Sequence, residues 1–295
     1  EDDQGDPCKG KGSSGSAPTG SGSGSPVWKV NLVNMNLFVT DTPMWYDPPI
    51  GPSVRITLSY NSQSAIAFRE PFGNKWQFSY ASYLIVDTSG TVLIFMPDGR
   101  RDVYNPDGAG GYRQPYQVFN TLTKLAENYF ELRLPDDTVY VYRIPPATAS
   151  QQPFLTEIRD AYDQRLTFGY DVNVHLTTIT EAQGKVFTLS YNADGLCTSA
   201  ADPFGRVALF EYDASHNLTK IGDMAGYRST FTYDPTVYLT SIGNDRGTWA
   251  FLIEPTGPAG GNSDKYPAPR DPNMYANYRI TITNPLGQPE EFFYY

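Results

Sequence analysis

The stretches GRVALFEYD (205–213) and GYRSTFTYD (226–234) contain the pattern that determines the fold. In each stretch a glycine precedes alternating residues that end in Tyr-Asp, and the second stretch begins 21 residues after the first. Alternation at period 2 places one set of side chains on a single face of a β-strand, so we expect that face to be buried. The Asp after Tyr favours a turn, because its side chain accepts hydrogen bonds from nearby backbone amides.

The same columns recur through residues 151–295, which we interpret as a sheet of hairpin repeats of about 21 residues each. Glycine keeps the period because it adopts a positive φ easily in the turn that opens a strand. We expect two strands and two turns per unit, and neighbouring units that pair in one curved or spiralling antiparallel sheet. The repeat residues are Tyr170, Tyr191, Tyr212, Tyr233 and Tyr294, Gly184, Gly205, Gly226, Gly247 and Gly287, and Asp160, Asp202 and Asp223.

Two further segments precede the repeats. Residues 1–26 are rich in Gly and Ser and poor in apolar residues, so they cannot bury enough surface to offset their chain entropy and are expected to form a flexible tail. Residues 27–150 are expected to form an irregular β region, in which 121–128 is the best candidate for a helix.

A Gly- and Pro-rich insertion at 254–277 interrupts the repeats, since Glu254-Pro255 stands where the period requires Tyr. We expect a protruding loop, either a tolerated surface insertion or a contact surface. Its candidate contact residues are Tyr266, Arg270, Met274 and Tyr275.

The composition excludes several classes of protein. The chain has 26 Gly, 24 Pro and 22 Tyr but only 18% charged residues, which indicates turns and strands in an all-β protein. A formal net charge of −10 argues against a nucleic-acid partner, and no apolar run is long enough for a membrane span. Spaced His or Cys pairs and phosphate-binding loops do not occur, so we predict no metal, no cofactor and no enzymatic activity.

Two histidines and two cysteines are the candidates for reactive side chains. His175 and His216 follow repeat tyrosines at turns, where exposed polar residues are expected. Cys8 lies in the tail and Cys197 in the repeats. They are either a tail thiol and a small packed residue, or a disulfide that ties the tail to the body in an oxidising compartment.

The two ends of the chain suggest processing or truncation. The sequence starts at Glu1 rather than at Met, and it stops on the strand-like EEFFYY (290–295). We therefore expect that a leader has been removed or that the chain is a segment of a longer protein.

The Tyr-Asp columns resemble the YD repeats of the RHS family, which includes rearrangement hotspot proteins, teneurins and the cocoon subunits of insecticidal toxin complexes. The resemblance covers roughly residues 50–295 and is strongest at 205–213 and 226–234. Upstream stretches are similar to the region that precedes the repeats in that family: SYNS (59–62), FGNKW (72–76), FMPDGR (95–100) and LTEIRD (155–160).

The resemblance implies a β-sheet strip that spirals into a hollow shell, which encloses a C-terminal cargo or presents an adhesive surface outside the cell. Its partners would be other YD segments and the enclosed cargo. DPFG (202–205) is similar to the family's self-cleavage context, but Arg206 replaces the expected Leu and the stretch keeps the ordinary repeat register. We therefore assign it a structural role.

Three hypotheses follow for the function. The first is a non-enzymatic structural module, a segment of an RHS-type shell in an exported or cell-surface protein. The second is an extracellular filament or adhesive protein that assembles through open sheet edges of its own copies. The third is a glycan-binding module, because rows of aromatic side chains are used to stack sugar rings.

Overall fold

The computed structural model describes residues 26–31, 36–64, 71–97, 99–146, 148–255 and 278–294. Within these residues the regular secondary structure consists of β-strands that pair antiparallel, so the all-β repeat prediction is confirmed. The tail predicted over residues 1–26 lies outside the described residues except for Pro26. Two sheets account for the strands.

The first sheet, called the inner sheet below, has four antiparallel strands in the order of the chain. Its register shifts between Asp41 and Met44, so β2 carries a bulge opposite β3. All three residues of β4 are buried, and in β3 only Arg55 is exposed, which places this sheet inside the molecule. The strands are β1 (Val27–Asn31), β2 (Asn36–Tyr46), β3 (Val54–Asn61) and β4 (Trp76–Phe78).

The second sheet follows the order of the chain, and each strand from β9 to β23 pairs antiparallel with the next. The strands are β5 (Tyr83–Val86), β6 (Val92–Phe95), β7 (Arg101–Pro106), β8 (Tyr112–Arg113), β9 (Thr121–Ala126), β10 (Tyr129–Arg133), β11 (Val139–Arg143), β12 (Phe154–Arg159), β13 (Arg165–Tyr170), β14 (Leu176–Thr180), β15 (Val186–Tyr191), β16 (Cys197–Ala201), β17 (Val207–Tyr212), β18 (Leu218–Gly222), β19 (Arg228–Tyr233), β20 (Leu239–Asn244), β21 (Gly247–Pro255), β22 (Tyr278–Thr283) and β23 (Pro289–Tyr294).

The strand order returns on itself, because Phe154 of β12 also pairs with Tyr83 of β5. The chain leaves the inner sheet at Phe78 and enters the second sheet at Tyr83, so the division predicted at residue 150 does not coincide with a change of sheet. The domain boundaries therefore stay a prediction. We call β12–β23 the repeat sheet.

The helix candidate at 121–128 is wrong. Thr121–Ala126 forms β9, which pairs with β10 and buries only Leu122. Thr121 and Thr123 are β-branched and favour strands, and pairing with β10 satisfies backbone groups that a short, uncapped helix would leave open.

The two turns of each repeat unit have the same construction. Oδ1 of Asp202 accepts hydrogen bonds from the amides of Phe204 and Arg206, both at 2.9 Å. Oδ1 of Asp213 accepts in the same way from the amides two and four residues later, at 2.8 and 2.9 Å. The residue three positions after the acceptor has a positive φ in both turns, 86° at Gly205 and 64° at His216.

The 21-residue glycine column therefore marks only the turn that precedes the first strand of a unit. In the turn after the tyrosine, Val174, His216 and Val237 adopt a positive φ without being glycine, and only Gly195 is a glycine there. A left-handed backbone is costly for a β-branched residue, so these turns are held by the strands on either side of them.

The repeat strands bury alternate residues, as the alternation predicts. β15, β17 and β19 show the same order of exposed and buried positions. Their buried side chains, together with those of β13, are Leu166 and Phe168, Phe187 and Leu189, Ala208 and Phe210, and Ser229 and Phe231.

Gly226→Ala tests the backbone requirement of these turns. A Cβ at Gly226 would meet no atom within 4 Å, but the φ of +90° is unfavourable for alanine. We expect the free energy of unfolding to fall by about 1 kcal/mol, as measured by urea denaturation.

Gly222→Ala is the matched control, because Gly222 lies in β18 without a positive φ and its Cβ would meet Leu209 at an ordinary 3.8 Å. Alanine there should leave stability unchanged or raise it by about 0.5 kcal/mol. Equal losses in the two variants would contradict the assignment.

Candidate functional site

The candidate site is the face of the repeat sheet that the inner sheet covers. Along β13 to β21, successive first strands of the units each place a phenylalanine against an aromatic ring from residues 28–80. The ring pairs, with their centroid distances, are Phe168–Tyr80 at 4.8 Å, Phe187–Tyr46 at 6.0 Å, Phe210–Phe72 at 4.9 Å, Phe231–Trp76 at 5.1 Å and Phe251–Trp28 at 6.0 Å. The alternation identified this face as buried, but nothing in the repeats showed that the chain's own N-terminal strands cover it.

The repeat tyrosines connect each unit to the one before it. The hydroxyl of Tyr191 donates to the carbonyl of Leu176 at 2.7 Å, fifteen residues earlier. Burial raises the pKa of these phenols, so they stay neutral donors. The same bond joins Tyr170 to Leu155 at 2.6 Å, Tyr212 to Cys197 at 2.6 Å and Tyr233 to Leu218 at 2.7 Å.

Polar contacts fix the inner sheet in register with the repeat units. Nε1 of Trp76 donates to the Tyr233 hydroxyl at 2.8 Å. The Tyr60 hydroxyl donates to the carbonyl of Val237 at 2.8 Å and accepts from the amide of Leu239 at 3.0 Å. These bonds leave the indole and the phenol satisfied inside the core, where an unpaired polar group would be costly.

Turn acids of the repeats have defined partners. The carboxylate of Glu181 forms an ion pair with Lys185 at 3.7 Å, and that of Asp202 accepts a hydrogen bond from Nε of Arg206 at 2.5 Å, in each case four residues later. Nη2 of Arg206 also donates to the carbonyl of Trp45 at 3.3 Å. The DPFG stretch is therefore built as an ordinary repeat turn in contact with the inner sheet.

A cavity of about 380 Å³ lies where residues 71–83 contact three turns that each follow a repeat tyrosine. His175, Asp194 and His216 all line it. Nδ1 of His175 lies 2.9 Å from Oδ2 of Asp171, and its ring stacks on Tyr191 with centroids 4.7 Å apart. His216 is exposed, with Nε2 3.9 Å from Oδ2 of Asp194.

Sequence reasoning treated the two histidines separately and missed that they face one cavity. The signal was their common position, since both occupy the turn that follows a repeat tyrosine. Among the described residues, no group of three or more His, Cys, Asp or Glu is arranged to hold a metal ion.

The remaining predicted residues are distributed along the repeat sheet. Asp160 and Asp223 accept amide hydrogen bonds in their turns, as Asp202 does. Gly184 and Gly287 adopt a positive φ, and so does Gly247. Tyr294 lies in β23, where its Cα pairs with that of Tyr278. Cys8, Tyr266, Arg270, Met274 and Tyr275 lie outside the described residues.

Cys197 is buried in β16, and its Sγ lies 3.4 Å from the carbonyl of Ser199. Burial raises the pKa of this thiol to about 12. Whether Cys197 is a packed thiol or is bonded to Cys8 stays a prediction, which thiol counting can test.

Comparison with known proteins identifies the repeats. Residues 175–207 and 191–226 match the model of the RHS repeat. A search of curated proteins found no match. The chain thus has an all-β repeat fold, and its residues 175–226 are RHS repeats. The resemblance seen in the Tyr-Asp columns is confirmed.

Three solved structures are similar over most of this chain. The crystal structure of TcdB2-TccC3-Cdc42 is 12% identical with a TM-score of 0.32, covering 91% of this chain and 15% of that chain. The Photorhabdus luminescens Tc holotoxin pore is 11% identical with a TM-score of 0.29, covering 91% and 15%. TcdB2-TccC3 without its hypervariable C-terminal region is 12% identical with a TM-score of 0.32, covering 91% and 16%. This chain therefore spans about 15% of the length of the solved chains that it matches.

Among the described residues, no helix has the length and apolar character needed to cross a membrane.

Tyrosine-to-phenylalanine variants test the bonds between units. Tyr191→Phe removes one hydroxyl bond and should lower the free energy of unfolding by about 1 kcal/mol. Tyr233→Phe should cost about 2 kcal/mol, because it also leaves Nε1 of Trp76 without its acceptor. Urea denaturation measures both.

Tyr162→Phe is the control, since Tyr162 is 84% exposed, and it should change stability by less than about 0.5 kcal/mol. If Tyr233→Phe is no more destabilising than Tyr191→Phe, the bond from Trp76 contributes nothing.

Thiol counting tests the two readings of the cysteines. In the folded protein, Ellman's reagent should not react with Cys197 even at pH 9, because the thiol is buried and stays protonated. Without a disulfide, Cys8 reacts at once and Cys197 only in urea, and Cys8→Ser abolishes the fast signal. With a disulfide, neither reacts until reductant is added. Rapid reaction of Cys197 in the folded Cys8→Ser variant would contradict the described burial.

Proposed function

We propose that this chain is a non-enzymatic wall segment of an RHS-type shell, in an exported or cell-surface protein. The observation that carries the proposal is the covered face: the inner sheet and the residues that flank β4 place one aromatic ring against each of five successive first strands. The chain thus supplies both a stretch of wall and the packing that stabilises its inner face.

The construction of the units suits a wall that grows by addition. Each unit is attached to the previous one by a strand ladder and by the hydroxyl bond of its tyrosine. A unit that contacts only its neighbours can be repeated without new long-range contacts. The sheet can therefore be extended with the same 21-residue pattern, provided that the apolar face of each added unit is covered.

The polar groups of the covered face favour a structural role over a catalytic one. The repeat tyrosines donate to backbone carbonyls, and Tyr60 and Trp76 complete hydrogen bonds between the sheets. Groups engaged in this way are not available to a substrate. The same engagement makes the repeat tyrosines poor platforms for sugar rings.

Cargo enclosure belongs to the complete protein in this proposal. The chain spans about 15% of the solved chains that it matches, and a closed shell needs many more units than it contains. The partners would be further YD segments and an enclosed C-terminal cargo. Assembly into filaments and glycan binding stay predictions that no observation here favours.

Electron microscopy and protease protection of the protein encoded by the complete gene test the proposal. We expect a hollow particle whose C-terminal domain resists protease until the shell is unfolded. The 295-residue chain should remain monomeric in light scattering as its concentration rises. Filaments that lengthen with concentration, or a C-terminal domain cleaved as fast as an unenclosed control, would refute the wall-segment proposal.

A further inference from the structure

Two buried acids flank the point where the bulge of the inner sheet contacts a repeat turn. Asp41 of β2 is 5% exposed, and Asp223 of the β18–β19 turn is 6% exposed. The elements that carry them are joined directly, because the amide of Met224 donates to the carbonyl of Pro43 at 2.9 Å. Asp223 is therefore one residue, and Asp41 two residues, from the hydrogen bond that joins the turn to β2.

Asp223 differs from the equivalent acids of the two preceding units. Glu181 has Lys185 four residues later and Asp202 has Arg206, so both of those carboxylates have a cation. At the same position after Asp223 stands Tyr227, which supplies only its amide, to Oδ1. Oδ2 of Asp223 is buried and has no hydrogen-bond partner among the described residues.

Other charged groups near this contact are already engaged. On the repeat side, Lys185 lies over the Tyr46 ring and pairs with Glu181, while Arg206 pairs with Asp202. On the inner-sheet side, the residue opposite Asp41 in β3 is the apolar Leu58. Asp223 is the only charged neighbour that affects the titration of Asp41 among the described residues.

We propose that the Asp41 carboxyl carries a proton and donates it to Oδ2 of Asp223, so that the inner sheet is held to the repeat sheet by an acid–acid hydrogen bond that weakens as the pH rises. This bond accounts for two observations together. It gives the unpartnered Oδ2 a donor, and it removes one of two negative charges that would otherwise be buried side by side.

The pH window follows from the titration of Asp41. Burial, and to a smaller extent the neighbouring Asp223, raises the pKa of Asp41 from 3.8 to about 7. Between these values the folded chain holds a proton that the unfolded chain has lost. The contribution of the Asp41 proton to the free energy of unfolding is therefore complete below about pH 4. It declines as the pH rises to about 7 and is lost above that pH.

Thermal unfolding between pH 5 and 8 tests the proposal, with Asp41→Asn as the first variant. Asparagine keeps a donor for Oδ2 but does not titrate. The melting temperature of the wild-type chain should fall by about 5 °C more than that of Asp41→Asn over this range. The Met224 amide should lose protection against hydrogen exchange with rising pH in the wild-type chain only.

Tyr227→Arg is the second variant, and its site is exposed, so folding should not be affected. It restores the cation found in the two preceding units, and by pairing with Asp223 it should reduce the pH dependence in part, because burial of Asp41 still raises the pKa of that carboxyl. Tyr227→Gln is the matched control and should keep the wild-type slope. Parallel pH profiles for the wild type, Asp41→Asn and Tyr227→Arg would overturn the proposal.

A cation bound by Asp41 and Asp223 would also explain how two acids are buried close together. Thermal unfolding distinguishes a bound cation from a shared proton. At pH 8, 1 mM calcium should leave the melting temperature of the wild-type chain unchanged relative to EDTA. A calcium-dependent rise in melting temperature that Asp41→Asn abolishes would show a cation site and would overturn the shared proton.

Discussion

A long sheet with one apolar face is stable only when that face is covered, and this requirement shapes the whole molecule. The repeat strands place a phenylalanine on that face at every unit from β13 to β21, and residues 28–80 place an aromatic ring against each of them. The cover belongs to the same chain, so the repeat sheet and its cover share one hydrophobic core. Repeat proteins more commonly bury their faces by stacking units on each other.

The period of 21 residues is set by contacts between neighbouring units. The hydroxyl of Tyr191 reaches the carbonyl fifteen residues earlier, and an acceptor such as Asp202 closes each turn through two amides. A phenylalanine would fill the space of the tyrosine but would leave that carbonyl without its donor. The tyrosine and the turn acids thus recur because each makes the same hydrogen bonds within its own turn or to the neighbouring unit. Contacts of this kind produce a period that the sequence shows directly.

The repeat sheet could be predicted for that reason, whereas its cover could not. Trp76 and Tyr233 are 157 positions apart, and no spacing or composition relates them. Strand β9 was mistaken for a helix because its pairing with β10, rather than its own pattern, determines its structure. The histidine-lined cavity was missed for a similar reason, since His175 and His216 come together only when their turns are placed side by side.

The residue four positions after the turn acid differs between units, and this difference changes how each unit contacts the inner sheet. Lys185 and Arg206 neutralise the acids of their own turns, and both also contact the inner sheet. In the next unit Tyr227 stands in place of the cation, and there the inner sheet has the buried Asp41 close to its contact with the turn. Where the cation is missing beside a second buried carboxylate, one of the two carboxylates must be neutralised by a proton. The two sheets are therefore joined by apolar packing, by hydrogen bonds such as the one from Trp76 to Tyr233, and by a titratable group at one unit.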